Sequence, residues 1–330
     1  MSQNEIYDLI IIGGGPGGLT AGIYAMRAAL KTVLIEKGLT GGQITLSDEV
    51  ENWPGTERVT GAELAENFTR HARSYGLEFL NREVVALEPG RDLHTVVLDN
   101  KERLSTHAVI LSTGGTPRKL KIPGEETNYG KGVSYCAVCD GFFFRNKTVV
   151  VIGGGDSAAE EALYLAKLAK QVYLVHRRDA LRAGMLLQQR VKQECKIEIL
   201  WNSIPTAINS TAGGVSSVAL QNTQTGAKRE IATDGVFIFI GFDPNNGLVP
   251  TDIRLNSNGY VITDHKCETS VPGMFAIGDL REKYARQIVT AAADGATAAL
   301  AAAHYVENKK AAAACEAPPG LFAKTAGQPD

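Results

Sequence analysis

The sequence predicts an α/β protein built on two doubly wound parallel sheets, because one glycine-rich strand–turn–helix signature occurs twice in the same register. The first copy runs Asp8-Leu9-Ile10-Ile11-Ile12-Gly13-Gly14-Gly15-Pro16-Gly17-Gly18, then a helical stretch, then Thr32-Val33-Leu34-Ile35-Glu36. The second runs Thr148-Val149-Val150-Val151-Ile152-Gly153-Gly154-Gly155-Asp156-Ser157-Ala158, a helical stretch, then Val172-Tyr173-Leu174-Val175-His176. Glu36 stands 23 positions after Gly13, and His176 stands 23 after Gly153. A single such motif is a weak signal; two copies in register, each flanked by strand-like runs, are a strong one.

Each copy is read as a dinucleotide site. The glycines permit a tight turn and bring backbone N–H groups to a pyrophosphate, with a helix N-terminus facing the anion. In the first copy Gly13, Gly15, Pro16 and Gly18 make the turn. Glu36, followed by Lys37, closes the second strand as a carboxylate suited to the ribose hydroxyls. That copy should hold FAD or NAD and reject a 2′-phosphate. In the second copy Gly153, Gly155, Asp156, Ser157 and Ala158 make the turn. The strand there ends in His176-Arg177-Arg178, with Arg182 one turn on. Guanidinium forks match a phosphate, so this copy is expected to select NADPH. The plainer alternative is that these arginines merely solvate a strand end.

Further along, Val109-Ile110-Leu111-Ser112-Thr113-Gly114-Gly115-Thr116-Pro117 reads as a buried strand entering a glycine turn. Ahead of the second copy stands Cys136-Ala137-Val138-Cys139, followed by Asp140. This spacing suits a reversible disulfide, and an adjacent carboxyl suits the proton transfers of thiol exchange. A zinc half-site would need a second pair, and Cys195, Cys267 and His265 do not supply one at ligand spacing. Gly273-Met274-Phe275-Ala276-Ile277-Gly278-Asp279 reads as another strand, followed by an Ala-rich helix from about 286 to 306.

Composition limits the alternatives. The 330 residues suffice for two domains. A net charge of −2 and a pI near 6.3 argue against nucleic acid as a partner. No apolar run reaches the ~20 residues of a membrane span, and the N-terminal segment does not read as a secretory leader. Five cysteines are too few for a disulfide scaffold in a chain of this size.

The ordered set Gly13–Gly18, Gly41-Gly42-Gln43, Glu51-Asn52-Trp53-Pro54-Gly55, Cys136-Ala137-Val138-Cys139-Asp140, His176-Arg177-Arg178, and Gly278-Asp279 with Arg286-Gln287 resembles the low-molecular-weight thioredoxin reductases. The likeness runs from about residue 5 to 307. It implies FAD at the first copy, with Gly42, Gln43, Asn52, Thr113, Gly114, Asp279, Arg286 and Gln287 around it. It implies NADPH at the second, with Gly241 nearby. It further implies Cys139 next to the flavin, Cys136 as the sulfur that attacks oxidised thioredoxin, and a homodimer in the cytoplasm. By this likeness the NADPH domain, 116–244, interrupts an FAD domain made of 1–115 and 245–308. A rotation about two Gly/Pro connectors then lets nicotinamide and disulfide reach the flavin in turn. Residues 309–330, with Cys315, are expected to form a flexible tail. Two related readings remain. One is the reductase component of an alkyl hydroperoxide system, which carries an N-terminal thioredoxin-like module not expected here. The other is a flavin-dependent NADP–ferredoxin reductase, which lacks the dithiol. A non-catalytic NADPH sensor would need neither flavin site nor disulfide.

Overall fold

Aliphatic runs that are buried on both faces form the centre of each half, as parallel strands require. The computed structural model describes residues 6–47 and 49–316. In the first sheet the strand order is Glu78–Leu80, Thr32–Ile35, Ile6–Ile12, Arg103–Leu111, His94–Leu98, Val84–Glu88. The first four strands are parallel, and the last two join antiparallel. Arg103–Leu111 is shared along its length. Its first half pairs with His94–Leu98, and its second half pairs in parallel with Met274–Ala276. The doubly wound α/β arrangement expected from the sequence is present, with an antiparallel pair added at one edge.

Among the described residues the α-helices are α1 (Pro16–Arg27), α2 (Gly61–Ser74), α3 (Ala137–Asp140), α4 (Asp156–Ala166), α5 (Met185–Gln193) and α6 (Ile288–Glu316). Helices α1 and α6 pack backbone to backbone: a Cβ on Gly295 would lie 2.2 Å from the Gly17 oxygen. Only glycine allows that approach. It seats α6 directly over the first glycine turn, with Leu9, Ile11, Leu19, Ala298 and Ala302 in the core around it.

The second sheet has the order Ile197–Leu200, Gln171–Val175, Thr148–Gly153, Gly235–Phe239, Val133–Ser134, all parallel. An antiparallel sheet of Ser203–Thr211, Gly214–Asn222 and Lys228–Ala232 covers one side. The two halves are joined by a ribbon in which Gly115–Pro117 pairs antiparallel with Phe242–Pro244. Arg118 beside it holds Asp243 along one edge of its guanidinium, through Nε and Nη2, at 2.6 to 3.0 Å.

One expectation is corrected at the C-terminal end. Residues 309–316 are not a flexible tail but the last turns of α6, which starts at Ile288 rather than 286. Alanine is the best helix former, and Ala311–Ala314 continue the helix for that reason. Lys309 Nζ donates to the Arg91 oxygen at 2.9 Å, and Lys310 Nζ pairs with Asp8 at 2.6 Å, so this end is docked. Cys315 falls on this helix, and the expected tail from 317 onward lies outside the described residues.

Candidate active site

A single cleft of about 2310 Å³ runs between the halves and is lined by both glycine turns, the cysteine pair and the start of α6. On its first wall, Gly15 caps α1 without any side-chain acceptor, and Pro16 follows at the first helical position. The helix's first N–H groups therefore face the cleft unpaired, the arrangement that suits a pyrophosphate. Gly13 has φ +106°, and a Cβ on Gly18 would meet the Gly13 oxygen at 2.0 Å, so both positions demand glycine. Glu36 accepts from Gly14 N at 2.7 Å and from Gly38 N at 2.9 Å, which fixes the carboxylate at the strand end, in the cleft wall. Lys37 turns instead to Glu83, at 3.0 Å.

Farther in, Gly42 lies over Gly15, and Gln43 Nε2 reaches the Gly115 oxygen at 3.5 Å. Asn52 Nδ2 donates to Gln287 Oε1 at 3.3 Å. Thr113 and Asn245 exchange two hydrogen bonds of 2.8 Å, which steadies Gly114 beside the ribbon. Gly278 N donates to Asp294 Oδ2 at 3.0 Å. The same carboxylate receives Arg281 at 2.9 Å and Lys283 at 3.0 Å, all three side chains nearly buried. This charged knot holds the turn that presents Asp279. Burial pushes the Asp279 carboxyl up, against the opposing pull of Lys283 and Arg286. Arg286 stacks its guanidinium 4.1 Å from the Tyr260 ring centroid, and its buried Nε has no partner.

These features fit a flavin dinucleotide. An uncapped helix N-terminus, a carboxylate at the adjacent strand end, a half-buried Asp279 and an orphaned Arg286 donor all border one cleft. The residues that would hold FAD are therefore Gly13–Gly18, Glu36, Asp279, Arg286 and Gln287.

The second wall repeats the design. Gly155 caps α4, again with no side-chain acceptor. Ser157 and Asp156 face outward, and Asp156 Oδ1 accepts from Gly184 N at 2.7 Å. Ala158 is buried against Gly153. Arg182 N donates to the Gly154 oxygen at 2.6 Å, which places its side chain in the cleft wall. Arg177 and Arg178 are exposed at the strand end. Among the described residues, Arg177, Arg178 and Arg182 have no ion-pair partner. Gly241 has φ +131° and abuts the Arg118 side chain.

His176 differs from expectation. It is 5% exposed, with Nδ1 2.7 Å from the Gly153 oxygen and Nε2 3.0 Å from the Ala180 oxygen. Its ring lies where any Cβ on Gly154 would fall. The imidazole braces the glycine turn from behind, while Arg177 and Arg178 stay exposed at the strand end and Arg182 lines the cleft. Changing Arg177 and Arg178 to Ala is expected to raise the KM for NADPH by about tenfold or more, since a charge-assisted pair contributes roughly 1.5–3 kcal/mol. KM for NADH should stay within about twofold. Equal losses with both nucleotides would assign the arginines a structural role.

Cys136 and Cys139 form a disulfide at the junction of the two walls. Cys139 N donates to Cys136 Sγ at 3.2 Å, and Ser134 Oγ accepts from Cys136 N at 3.0 Å. Gln287, at the entrance to α6, lies 3.9 Å from Cys139 Sγ and 4.0 Å from Cys136 Sγ. The disulfide thus sits against the side of the cleft built by Asp279, Arg286 and Gln287. Asp140 ends α3 in the same cleft, near Tyr129, whose hydroxyl burial pushes up with Asp140 adding to it. Asp294, Lys283 and Tyr260 were not legible as site residues. A lone Asp within an Ala-rich helix was the signal available for the first.

Two dinucleotide cradles facing one disulfide define a nicotinamide- and flavin-dependent disulfide oxidoreductase. The family model described as pyridine nucleotide-disulphide oxidoreductase matches residues 7–295, and the chain belongs to that family. It is 46% identical to a thioredoxin reductase of Bacillus subtilis over 308 residues, 93% of this chain and 97% of that protein. The solved thioredoxin reductase of Streptococcus pyogenes is 43% identical and superposes with a TM-score of 0.90, over 93% of this chain and all of that one. The Lactococcus lactis thioredoxin reductase in its FR conformation is also 43% identical, over 92% of this chain and 99% of that one, with a TM-score of 0.62. Its family cofactors are FAD and NADPH. Among the described residues no helix is long and apolar enough to cross a membrane.

Proposed function

We propose that the chain is an NADPH-dependent thioredoxin-disulfide reductase. The observation that carries this is the Cys136–Cys139 disulfide set against Gln287 at the flavin side of a cleft with two nucleotide cradles. When bound, FAD supplies two-electron transfer between a nicotinamide and a disulfide. The chain's own residues do the rest. Asp279 and the Asp294-anchored turn orient the ring system, and the α6 entrance at Arg286 and Gln287 favours negative charge there. Asp140 is the acid–base group for the dithiol, and Cys136 attacks the partner's disulfide while Cys139 remains toward Gln287.

The disulfide occupies the place that a nicotinamide must also reach. We read this as one of two arrangements, with the FAD domain (1–115 and 245–308) and the NADPH domain (116–244) turning about the ribbon of Gly115–Pro117 and Phe242–Pro244. The unlike superpositions on two relatives of equal identity support a second arrangement, since both cover nearly the whole chain. The resemblance further suggests a homodimer acting in the cytoplasm. NADPH-dependent reduction of thioredoxin by the purified protein tests the reading. Turnover with hydroperoxide-system proteins or ferredoxin, and none with thioredoxin, would overturn it.

A further inference from the structure

Between Val175 and Met185 the chain runs without helix or strand, and Arg177, Arg178 and Arg182 all lie on this stretch. With no ladder of its own, it holds a direction only where other groups tie its backbone. Around Arg182 the ties are dense. The N–H groups of Arg182 and Ala183 donate to the Gly154 oxygen at 2.6 and 3.2 Å. The Gly184 N–H donates to Asp156 Oδ1 at 2.7 Å. The carbonyls on either side of Arg182 both go to one side chain. Gln188 Nε2, in the first turn of α5, donates to the Leu181 oxygen at 3.3 Å and to the Ala183 oxygen at 2.7 Å. Both partners are acceptors, so the amide nitrogen must face them, and its two N–H bonds serve one each. Leu181 and Ala183 are buried, whereas Arg182 between them is exposed and lines the cleft.

We propose that Gln188 is a specificity-determining positioning residue for the nucleotide. By holding the backbone on both sides of Arg182, it keeps that guanidinium aimed at the 2′-phosphate that distinguishes NADPH from NADH. The inference rests on the reading of Arg177, Arg178 and Arg182 as the phosphate site. A guanidinium pairs well with a phosphate only when its planar fork is presented in register. If the Leu181 and Ala183 carbonyls were released, Arg182 would have to be ordered at the moment of binding, and the nucleotide would bear that cost. The cost falls on the 2′-phosphate alone. The pyrophosphate, common to both nucleotides, faces Gly155 and the N-terminus of α4, which Gln188 does not build. Gln188 thus acts on selectivity through Arg182, from a position six residues beyond it on a different element.

The test is equilibrium binding to the oxidised, FAD-loaded protein. Kd values for NADP⁺ and NAD⁺ are measured by isothermal titration calorimetry, so neither turnover nor thioredoxin enters. The native chain should bind NADP⁺ more tightly than NAD⁺. Gln188→Met keeps the length without the donors and should weaken NADP⁺ by about tenfold, with NAD⁺ held within about twofold. Arg182→Ala should weaken NADP⁺ at least as much. The double variant should bind NADP⁺ no more weakly than Arg182→Ala alone, because a residue acting through another has no effect once that other is removed. Retained FAD absorbance reports folding, and if Gln188→Met loses it, Gln188→Ala takes its place in the cycle. Unchanged NADP⁺ affinity in the Gln188 variant, equal losses with both nucleotides, or additive losses in the double variant would each overturn the proposal. A loss with Arg182→Ala and none with the Gln188 variant refutes the proposal and leaves the phosphate reading standing. No loss with Arg182→Ala refutes that reading and the proposal with it.

Discussion

Replacing either Cys136 or Cys139 by Ser should lower thioredoxin reduction by at least about a thousandfold, because members of a unit that acts together are not replaceable singly. NADPH should still bleach the visible flavin band in both variants, since neither sulfur belongs to either nucleotide cradle. The two variants should differ in one respect. Cys139→Ser leaves a thiol at Cys136, where the Cys139 N–H still points at the sulfur, and it should form a trapped mixed disulfide with thioredoxin. Cys136→Ser leaves only the sulfur nearer Gln287 Oε1, and it should trap little. Stopped-flow absorbance and non-reducing electrophoresis read both results. Near-native turnover in either variant would end the dithiol mechanism.

The second large effect concerns two glycines three residues apart. A Cβ on Gly18 would fall 2.0 Å from the Gly13 oxygen. Helix α1 cannot yield, because Gly17 is in backbone contact with α6 on its other side. Gly18→Ala should therefore open the turn, cost at least about 1–3 kcal/mol in overpacking, and yield colourless protein with a lowered Tm. Gly15 is a sharp contrast, since a Cβ there meets nothing within 4 Å and its φ is −72°. Gly15→Ala should leave the Tm of the FAD-free protein unchanged and still weaken FAD binding by about tenfold, because the new methyl stands where the pyrophosphate meets the helix. Calorimetry without FAD and flavin titration by fluorescence separate the two. A Gly15→Ala variant that destabilises the FAD-free chain as much as Gly18→Ala would show the cradle to be structural rather than binding.

Much of the architecture follows from patterns that are local in sequence. The duplicated glycine turn, its spacing to Glu36 and His176, and the cysteine spacing each depend on a few adjacent residues. What was hidden depends on side-chain direction and on distant packing. Spacing locates His176 at the strand end but does not reveal that its ring turns behind the turn to meet the Gly153 and Ala180 oxygens. Asp294 acts through a backbone N–H distant in the chain, at Gly278, so no motif contains both partners. The run of alanines after Lys310 read as a tail because it carries no amphipathic pattern, yet it extends α6.

The ribbon of Gly115–Pro117 and Phe242–Pro244 has a further consequence, for modularity. The chain leaves one half and returns to it side by side, with Pro117 and Phe242 as register partners. Everything between them hangs from two adjacent strand ends. A cassette attached in this way can be removed without stretching its host, because the cut ends already lie within reach of a two-residue turn. Replacing residues 118–241 by Asn-Gly should leave a host that folds and retains FAD but has neither the NADPH cradle nor the dithiol. The nucleotide preference and the redox pair would then be properties of one exchangeable part.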